Sequence, residues 1–221
     1  MRTIVLAGAC VLALAASSAK ATIYGDTIGD TFFGGILDIS SVEVTDDGTN
    51  INFKMTLVGD IIATNWGNYM YHISTGPGGD TDAISNPWNR PISYSPDGAD
   101  VWIGNWVDGA SGGSQFWQFS AGTWNQTGGT TPSITQFSHT VSYPIALLGI
   151  APGQSFCFDA YASGAGGDPG AIDSLGNPVQ QINDWNVQSN ANPINCYTTT
   201  PEPGSLALLG LGALAIVRRK R

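Results

Sequence analysis

The chain has 221 residues and a formal net charge of −9, with 8 Lys and Arg against 17 Asp and Glu. Six of the basic residues stand near the two ends. Residues 22–200 therefore hold only Lys54 and Arg90 against fifteen Asp and one Glu, a formal net charge of −14. A body this acidic repels phosphate backbones, which excludes nucleic acid as a partner, whereas it suits divalent cations or solubility outside a cell.

The first 21 residues have the parts of a signal peptide. Arg2 supplies a positive start, Ile4–Ala16 is an apolar run, and Ala19 with Ala21 forms the A-x-A pattern that signal peptidase reads. The run is too short to span a bilayer as a stable helix. The sequence therefore predicts export, with cleavage after Ala21 and Cys10 discarded with the peptide.

Short β-type segments separated by turn signals follow along residues 22–197. Ile36–Val44 and Ile51–Val58 alternate in polarity around the turn Thr45–Thr49, a pattern that predicts a hairpin. Further strands are predicted at Tyr69–Ser74, Val101–Val107, Gln115–Ser120, Ser138–Pro144 and Ser155–Ala162. Because no helical period and no dividing linker interrupt them, we predict one all-β domain, an antiparallel β-sandwich.

The beginning of this body is similar to a known group of domains. Gly25-Asp26 and Gly29-Asp30, followed by Leu37–Val42 and Asp47–Phe53, resemble the start of family-nine-like carbohydrate-binding sandwiches, which are related to the DOMON group. The resemblance implies a structural calcium ion near the N-terminal edge, where Asp26 and Asp30 lie. Calcium prefers six to eight oxygen ligands.

Two other Asp-rich loops offer alternatives for calcium. Asp80-Thr81-Asp82 and the segment from Asp168 to Asp173 each follow a Gly-rich stretch. Their carboxylates and loop carbonyls could begin a calcium site. Aspartate that forms a turn is the commoner explanation for both loops.

All seven tryptophans lie in the body, where they are candidates for sugar stacking. The CH groups of a pyranose ring pack on an aromatic face, while nearby polar side chains bond the hydroxyls. Trp66 and Trp88 stand in loop-like stretches, and Trp102 and Trp106 share one face of a predicted strand. These four are the predicted glycan-binding residues, and the alternative for each is a place in the core.

The remaining functional residues point to stability rather than catalysis. Cys157 and Cys196 are predicted to form a disulfide, which is the default for two cysteines in an exported domain. The two histidines, His72 and His139, are isolated in the sequence, and no nucleophile, metalloprotease or P-loop motif occurs. We predict that the protein is not an enzyme, although a glycosidase with paired aspartates stays open as an alternative.

The C-terminus has three parts in order: Pro201-Glu202-Pro203, the apolar segment Ser205–Val217, and the basic tail Arg218-Arg219-Lys220-Arg221. This order resembles the PEP-CTERM sorting signal, which the membrane protease exosortase handles in Gram-negative bacteria that make extracellular polysaccharide. The resemblance implies a transmembrane sorting helix in the inner membrane, with the basic tail on the cytoplasmic side. Thr198–Thr200 is predicted to be a short spacer before the signal.

These observations predict a surface or extracellular-matrix protein that is sorted by exosortase after signal peptidase has acted. Anchored first in the inner membrane, it would reach the cell surface or the exterior and bind extracellular polysaccharide in a biofilm. A purely structural matrix protein without a specific ligand is the alternative, and a secreted glycoside hydrolase is the third.

Overall fold

A computed structural model describes residues 20–82, 85–94, 97–165, 170–176, 189–192 and 194–201. Most of the predicted signal peptide and the sorting segment beyond Pro201 lie outside these residues. The described chain forms strands and two short 3-10 helices, Gly35–Leu37 and Ile145–Leu148. Within these residues, no helix is long and apolar enough to cross a membrane.

The first sheet has five antiparallel strands in the order β1-β2-β3-β10-β9. Its strands are β1 (Lys20–Gly25), β2 (Ile39–Asp46), β3 (Asn50–Leu57), β9 (Ser133–Ile134) and β10 (Ser138–Pro144). The predicted hairpin is β2–β3, closed at Gly48, whose φ of 84° suits a residue without a side chain. Ile51, Phe53, Met55 and Leu57 of β3 are all buried, in agreement with their predicted alternation.

The strand predicted at Ile36–Val44 begins later than the sequence pattern indicated. Gly34 and Gly35 have positive φ values and lead into the 3-10 helix that contains Ile36 and Leu37. Strand β2 then starts at Ile39, with a shift of register between Ile39 and Ser41. The apolar residues of this stretch are buried, but the helix and the irregularity break the simple alternation from Ile36.

The second sheet runs β12-β11-β4-β6-β7-β8, and β14 also pairs with β11. Its strands are β4 (Asn68–Ser74), β6 (Val101–Asp108), β7 (Ser111–Ser120), β8 (Thr123–Thr130), β11 (Ser155–Ser163), β12 (Ala171–Ser174) and β14 (Asn195–Thr198). All of its pairs are antiparallel. The five predicted single strands all occur, and Ser138–Pro144 of the first sheet has the predicted bounds.

The inner faces of the two sheets pack together and form the main core. The ring of Phe53 in the first sheet lies 5.1 Å from that of Tyr71 in the second and 6.2 Å from that of Phe158. Phe116 meets Tyr143 across the same space, with ring centroids 4.8 Å apart. The predicted antiparallel β-sandwich is therefore confirmed.

The outer face of the second sheet carries a smaller apolar cluster. Met70 of β4, Trp102 of β6 and Tyr161 of β11 point outward and pack against Ile92 and Tyr94. The latter two belong to β5 (Ile92–Tyr94), which pairs in parallel with β13 (Ser189–Ala191). Because this layer covers part of the outer face, both faces of β4 are buried.

The last described segment is fixed to the sandwich rather than extending from it. Cys157 and Cys196 stand opposite each other in β11 and β14 and are joined by a disulfide. Thr199, which is almost fully buried, donates its N–H to the carbonyl of Gln154. The N–H of Thr200 lies 3.0 Å from Asp46 Oδ1. The predicted spacer Thr198–Thr200 is thus part of the folded body.

Candidate functional site

Four aspartates from separate parts of the chain meet at one corner of the sandwich. Asp26 follows β1, Asp30 lies in the next turn, Asp38 ends the first 3-10 helix and Asp173 lies in β12. One carboxylate oxygen each from Asp30, Asp38 and Asp173 lies within 4.8 Å of the other two. Two oxygens that share a calcium ion are at most about 5 Å apart, since each bond is ~2.3–2.6 Å long. The three carboxylates are therefore spaced to hold one such ion, and we call the four residues the Asp cluster.

Backbone hydrogen bonds orient these side chains. Asp38 Oδ2 accepts the N–H of Gly29 at 3.0 Å, and Asp173 Oδ2 accepts the N–H of Ile39 at 2.5 Å. Asp26 Oδ1 accepts the N–H of Thr27 at 2.8 Å, and the backbone N–H of Asp26 donates to the carbonyl of Ser40 at 3.1 Å. The cluster thus ties the loop after β1 to the start of β2 and to β12.

Several oxygens of the Asp cluster have lone pairs that no described donor uses. Asp26 Oδ2, Asp30 Oδ1 and Asp38 Oδ1 are buried and accept no hydrogen bond among the described residues. Asp38 itself is only 3% exposed. A buried acceptor without a partner is costly, so these oxygens are the ones that a bound cation would satisfy.

The electrostatics of the Asp cluster favour a cation. Burial raises the pKa of Asp26 to about 7, and repulsion from Asp30, Asp159 and Asp38 adds to the effect. Burial likewise raises the pKa of Asp173 to about 8, again with repulsion from Asp26 and Asp30. Burial is also the main reason why the pKa values of Asp30 and Asp38 are raised. Ionised carboxylates at this corner are therefore destabilised until a positive charge joins them.

The basic side chains of the described body contact other groups. Lys54 pairs with Glu43 at 3.7 Å, Lys20 donates to the carbonyl of Thr198 at 3.1 Å, and Arg90 donates to the carbonyl of Gly164 at 3.3 Å. These contacts supply no counter-charge to the Asp cluster. A divalent cation with oxygen preference, such as calcium, fits the donor set.

The Asp cluster contains both predicted metal residues, Asp26 and Asp30, together with Asp173 from one of the alternative loops and Asp38, which the sequence did not single out. The sequence could have indicated Asp38, because this charged residue lies on the same predicted strand face as the apolar Ile36 and Val42. Asp173 belongs to the second Asp-rich loop, whose Asp168 lies outside the described residues. In the other loop, Asp80 accepts hydrogen bonds from Ser85, from the Asp82 N–H at 3.0 Å and from Trp124 Nε1 at 2.7 Å. The carboxylate of Asp80 is therefore occupied by hydrogen bonds within the protein.

The predicted glycan-binding tryptophans differ widely in exposure. Trp102 is fully buried in the outer cluster and has no ring face open to a sugar, so it is removed from the candidates. Trp66 is half-buried and packs edge-on against Phe33, with ring centroids 5.1 Å apart. Trp88 is also half-buried, and its Nε1 donates to Gln115 Oε1 at 2.9 Å. Trp106 is 37% exposed.

Glycines make room for the rings on the outer face of the second sheet. The ring of Trp106 lies over Gly113, its neighbour across β6 and β7, so closely that a Cβ at residue 113 would overlap it. Gly104 likewise leaves space for Trp102 and Trp88. Trp106 and Trp88 lie 6.3 Å apart between ring centroids. The two rings form an aromatic face that continues from the buried cluster to the surface.

The end of the chain identifies how the protein is sorted. Residues 199–221 match the family model of the PEP-CTERM protein-sorting motif. The chain carries a PEP-CTERM sorting motif at its C-terminal end. The predicted resemblance at Pro201–Arg221 is confirmed, and the motif marks an exported protein that is sorted by exosortase, anchored at the membrane and then placed at the surface. No curated protein and no solved structure matches the chain. The similarity of its body to family-nine-like sandwiches stays a prediction.

Proposed function

We propose that this PEP-CTERM protein is a non-enzymatic component of the extracellular polysaccharide matrix of a Gram-negative bacterium, and that it binds glycan through Trp106. The observation that carries the proposal is the exposed ring of Trp106 above Gly113. An indole held on a sheet by a glycine presents a rigid apolar surface at little entropic cost. Such a surface suits the CH groups of a sugar ring.

Neighbouring groups give this surface the mixed character of a glycan site. Trp88 extends the aromatic face at 6.3 Å, and Gln115 orients it by accepting hydrogen bonds from both Trp88 and Trp117. The exposed Asn65 donates to Asp108 at 3.4 Å, near the end of β6 that carries Trp106. Amides and carboxylates of this kind bond sugar hydroxyls.

The test compares Trp106→Ala with a matched control, Phe137→Ala, which removes a 44% exposed aromatic ring near the start of β10, in the first sheet. Covering the exposed part of Trp106 removes about 90 Å² from water, worth about 2 kcal/mol or a loss on the order of 30-fold in affinity. Affinity electrophoresis of the exported protein in polysaccharide from its host measures the change. Equal retention of the wild type and Trp106→Ala, or an equal loss in the control, would refute glycan binding at Trp106.

Calcium is the proposed cofactor, held by the Asp cluster in a structural role. The support is the spacing of Asp30, Asp38 and Asp173 together with the unpaired buried oxygens. Because the ion would connect the loop after β1 with β12, it would stabilise that corner of the sandwich. This part of the proposal is independent of the glycan surface.

A purely structural role without a ligand is the second candidate. The observation in its favour is that indole N–H groups of the aromatic face are used within the protein: Trp88 and Trp117 donate to Gln115, and Trp124 donates to Asp80. A face built only for packing would satisfy its indoles in this way. The same electrophoresis decides between the two candidates, since a structural protein shows no retention by any polysaccharide.

Two features of the structure favour a non-enzymatic role over the activity of a glycoside hydrolase. His72 and His139 are buried, and burial lowers the pKa of each to about 3, which suits neither to act as a base on an external substrate. A cleft of about 250 Å³ near Thr75 and Gln118 has one carboxylate among its lining residues, Asp100, which accepts hydrogen bonds from Thr75. Glycosidases generally need two carboxyl groups.

A further inference from the structure

The two ends of the described body meet at one edge of the sandwich. Lys20 begins β1 and pairs with Asp46 of β2, while Tyr197 lies in β14 of the other sheet. The Tyr197 hydroxyl lies 2.9 Å from the carbonyl oxygen of Lys20 and 2.6 Å from Asp46 Oδ2. The Lys20 ammonium donates to the carbonyl of Thr198 at 3.1 Å and stands 5.0 Å from the ring of Tyr197. Lys20 is therefore part of the contact that closes this edge.

The sequence around the start of β1 offers more than one cleavage site for signal peptidase. Ala19 and Ala21 form one pair of small residues with a single residue between them, and Ser17 and Ala19 form another. The enzyme reads small residues in this spacing. Ala16 and Ser18 form a further pair away from the strand, and at the strand itself the pattern admits a cut after Ala21 or after Ala19. The two cuts differ in the contacts that they leave to the folded body.

A cut after Ala21 would remove groups that the fold uses. It would delete the pairs Lys20–Asp46 and Ala21–Thr45 from the β1–β2 ladder, together with the contacts of Lys20 to Tyr197 and Thr198. The Tyr197 hydroxyl and the Thr198 carbonyl would lose a partner. A cut after Ala19 keeps every one of these contacts.

The α-ammonium group that cleavage creates gives a second reason to favour the cut after Ala19. After a cut at Ala19 this positive charge would stand on Lys20, opposite Asp46, whose carboxylate is 1% exposed and accepts from the N–H groups of Gly48 and Thr200. After a cut at Ala21 it would stand on Thr22, opposite the apolar Val44. A cation beside a buried carboxylate is favourable, whereas a charge beside a valine gains nothing.

We propose that signal peptidase cleaves after Ala19, so that the mature protein begins with Lys20. The proposal rests on the predicted signal peptide and moves its end by two residues. In the folded protein the new N-terminus and the segment before the sorting motif lie at the same edge, where Tyr197 contacts both Lys20 and Asp46.

The experiment exports the full chain from a bacterial host and determines its N-terminal residue by sequencing and intact mass. We expect Lys20. Each cut requires small residues at the cleavage site, and a matched pair of variants places the larger glutamine at one of them. Ser17→Gln should block the cut after Ala19, and Ala21→Gln should block the cut after Ala21. Ala21 is exposed in β1, so the fold tolerates the longer side chain.

Cleavage of Ala21→Gln should match the wild type in site and yield, whereas Ser17→Gln should lose the Lys20 terminus. A wild-type protein that begins with Thr22, or an Ala21→Gln variant that is no longer processed, would overturn the proposed site. An exported chain that retains Met1 would overturn the signal peptide as well.

Discussion

The substitution Asp38→Asn tests calcium binding at a buried carboxylate of the Asp cluster. Asparagine keeps the shape of the side chain, and its oxygen can still accept the N–H of Gly29. The substitution removes one negative charge and replaces the unpaired Oδ1 by an amide NH2 group, which cannot bind a cation. Loss of calcium binding is therefore expected without loss of the fold.

The magnitude follows from linkage between binding and folding. A site that binds only the folded protein adds ~2.7 kcal/mol when free calcium is a hundredfold above Kd. For a domain of this size, that free energy raises Tm by about 5–10 °C. Without calcium, Asp38→Asn should melt no lower than the wild type, because it removes one of several carboxylates that repel each other.

Thermal melts in millimolar calcium, in magnesium at the same ionic strength and in chelator measure the effect. Asp97→Asn is the control, since it removes the same charge from an exposed position. Magnesium separates binding from simple screening of the acidic body. The reasoning fails if the wild type shows no shift specific to calcium, or if Asp38→Asn keeps the whole shift.

Three further predictions concern pH, the disulfide and sorting. Without calcium, the free energy of unfolding should fall as the pH rises from about 4 to about 8, because Asp26 (pKa about 7) and Asp173 (pKa about 8) keep their protons in the folded state, whereas in the unfolded chain they lose them near the usual ~3.9. Calcium should stabilise most at the top of that window, which melts across the range will check. Replacing both Cys157 and Cys196 by Ala, which opens a link across 39 residues, should cost about 4 kcal/mol in a denaturant titration, and the unreduced wild type should show no free thiol. Intact mass of the native mature protein should lack Arg218–Arg221, and finding them there would contradict processing by exosortase.

The strands that the sequence predicts are those with one clear apolar face. Ile51–Leu57 alternates without interruption, and β3 follows it with all four apolar residues buried. Strand β8 gave no such signal, since Thr123–Thr130 contains only Trp124 as a large apolar residue and most of the strand is exposed at the edge of its sheet. Its place in the sheet comes from pairing with β7 rather than from its own pattern.

The candidate sites depend on tertiary contacts that the sequence could not supply. Asp173 is 135 positions from Asp38, and only the pairing of β12 with β11 brings the two carboxylates together. Trp102 and Trp106 share a strand face as predicted, but the layer around β5 covers the first ring and leaves the second exposed. Local periodicity identifies the face of a strand, whereas the coverage of that face is decided by distant segments.

The disulfide between β11 and β14 has a mechanical consequence for a protein held in a membrane by its C-terminus. Tension from the anchor reaches the body through Pro201 and can peel residues back only as far as Cys196. There the load passes through the covalent bond to Cys157 and into β11, which pairs with β4 along seven residues. While the C-terminal segment is anchored, tension on the protein is therefore borne by the middle of the sheet and not by the terminal strand β14.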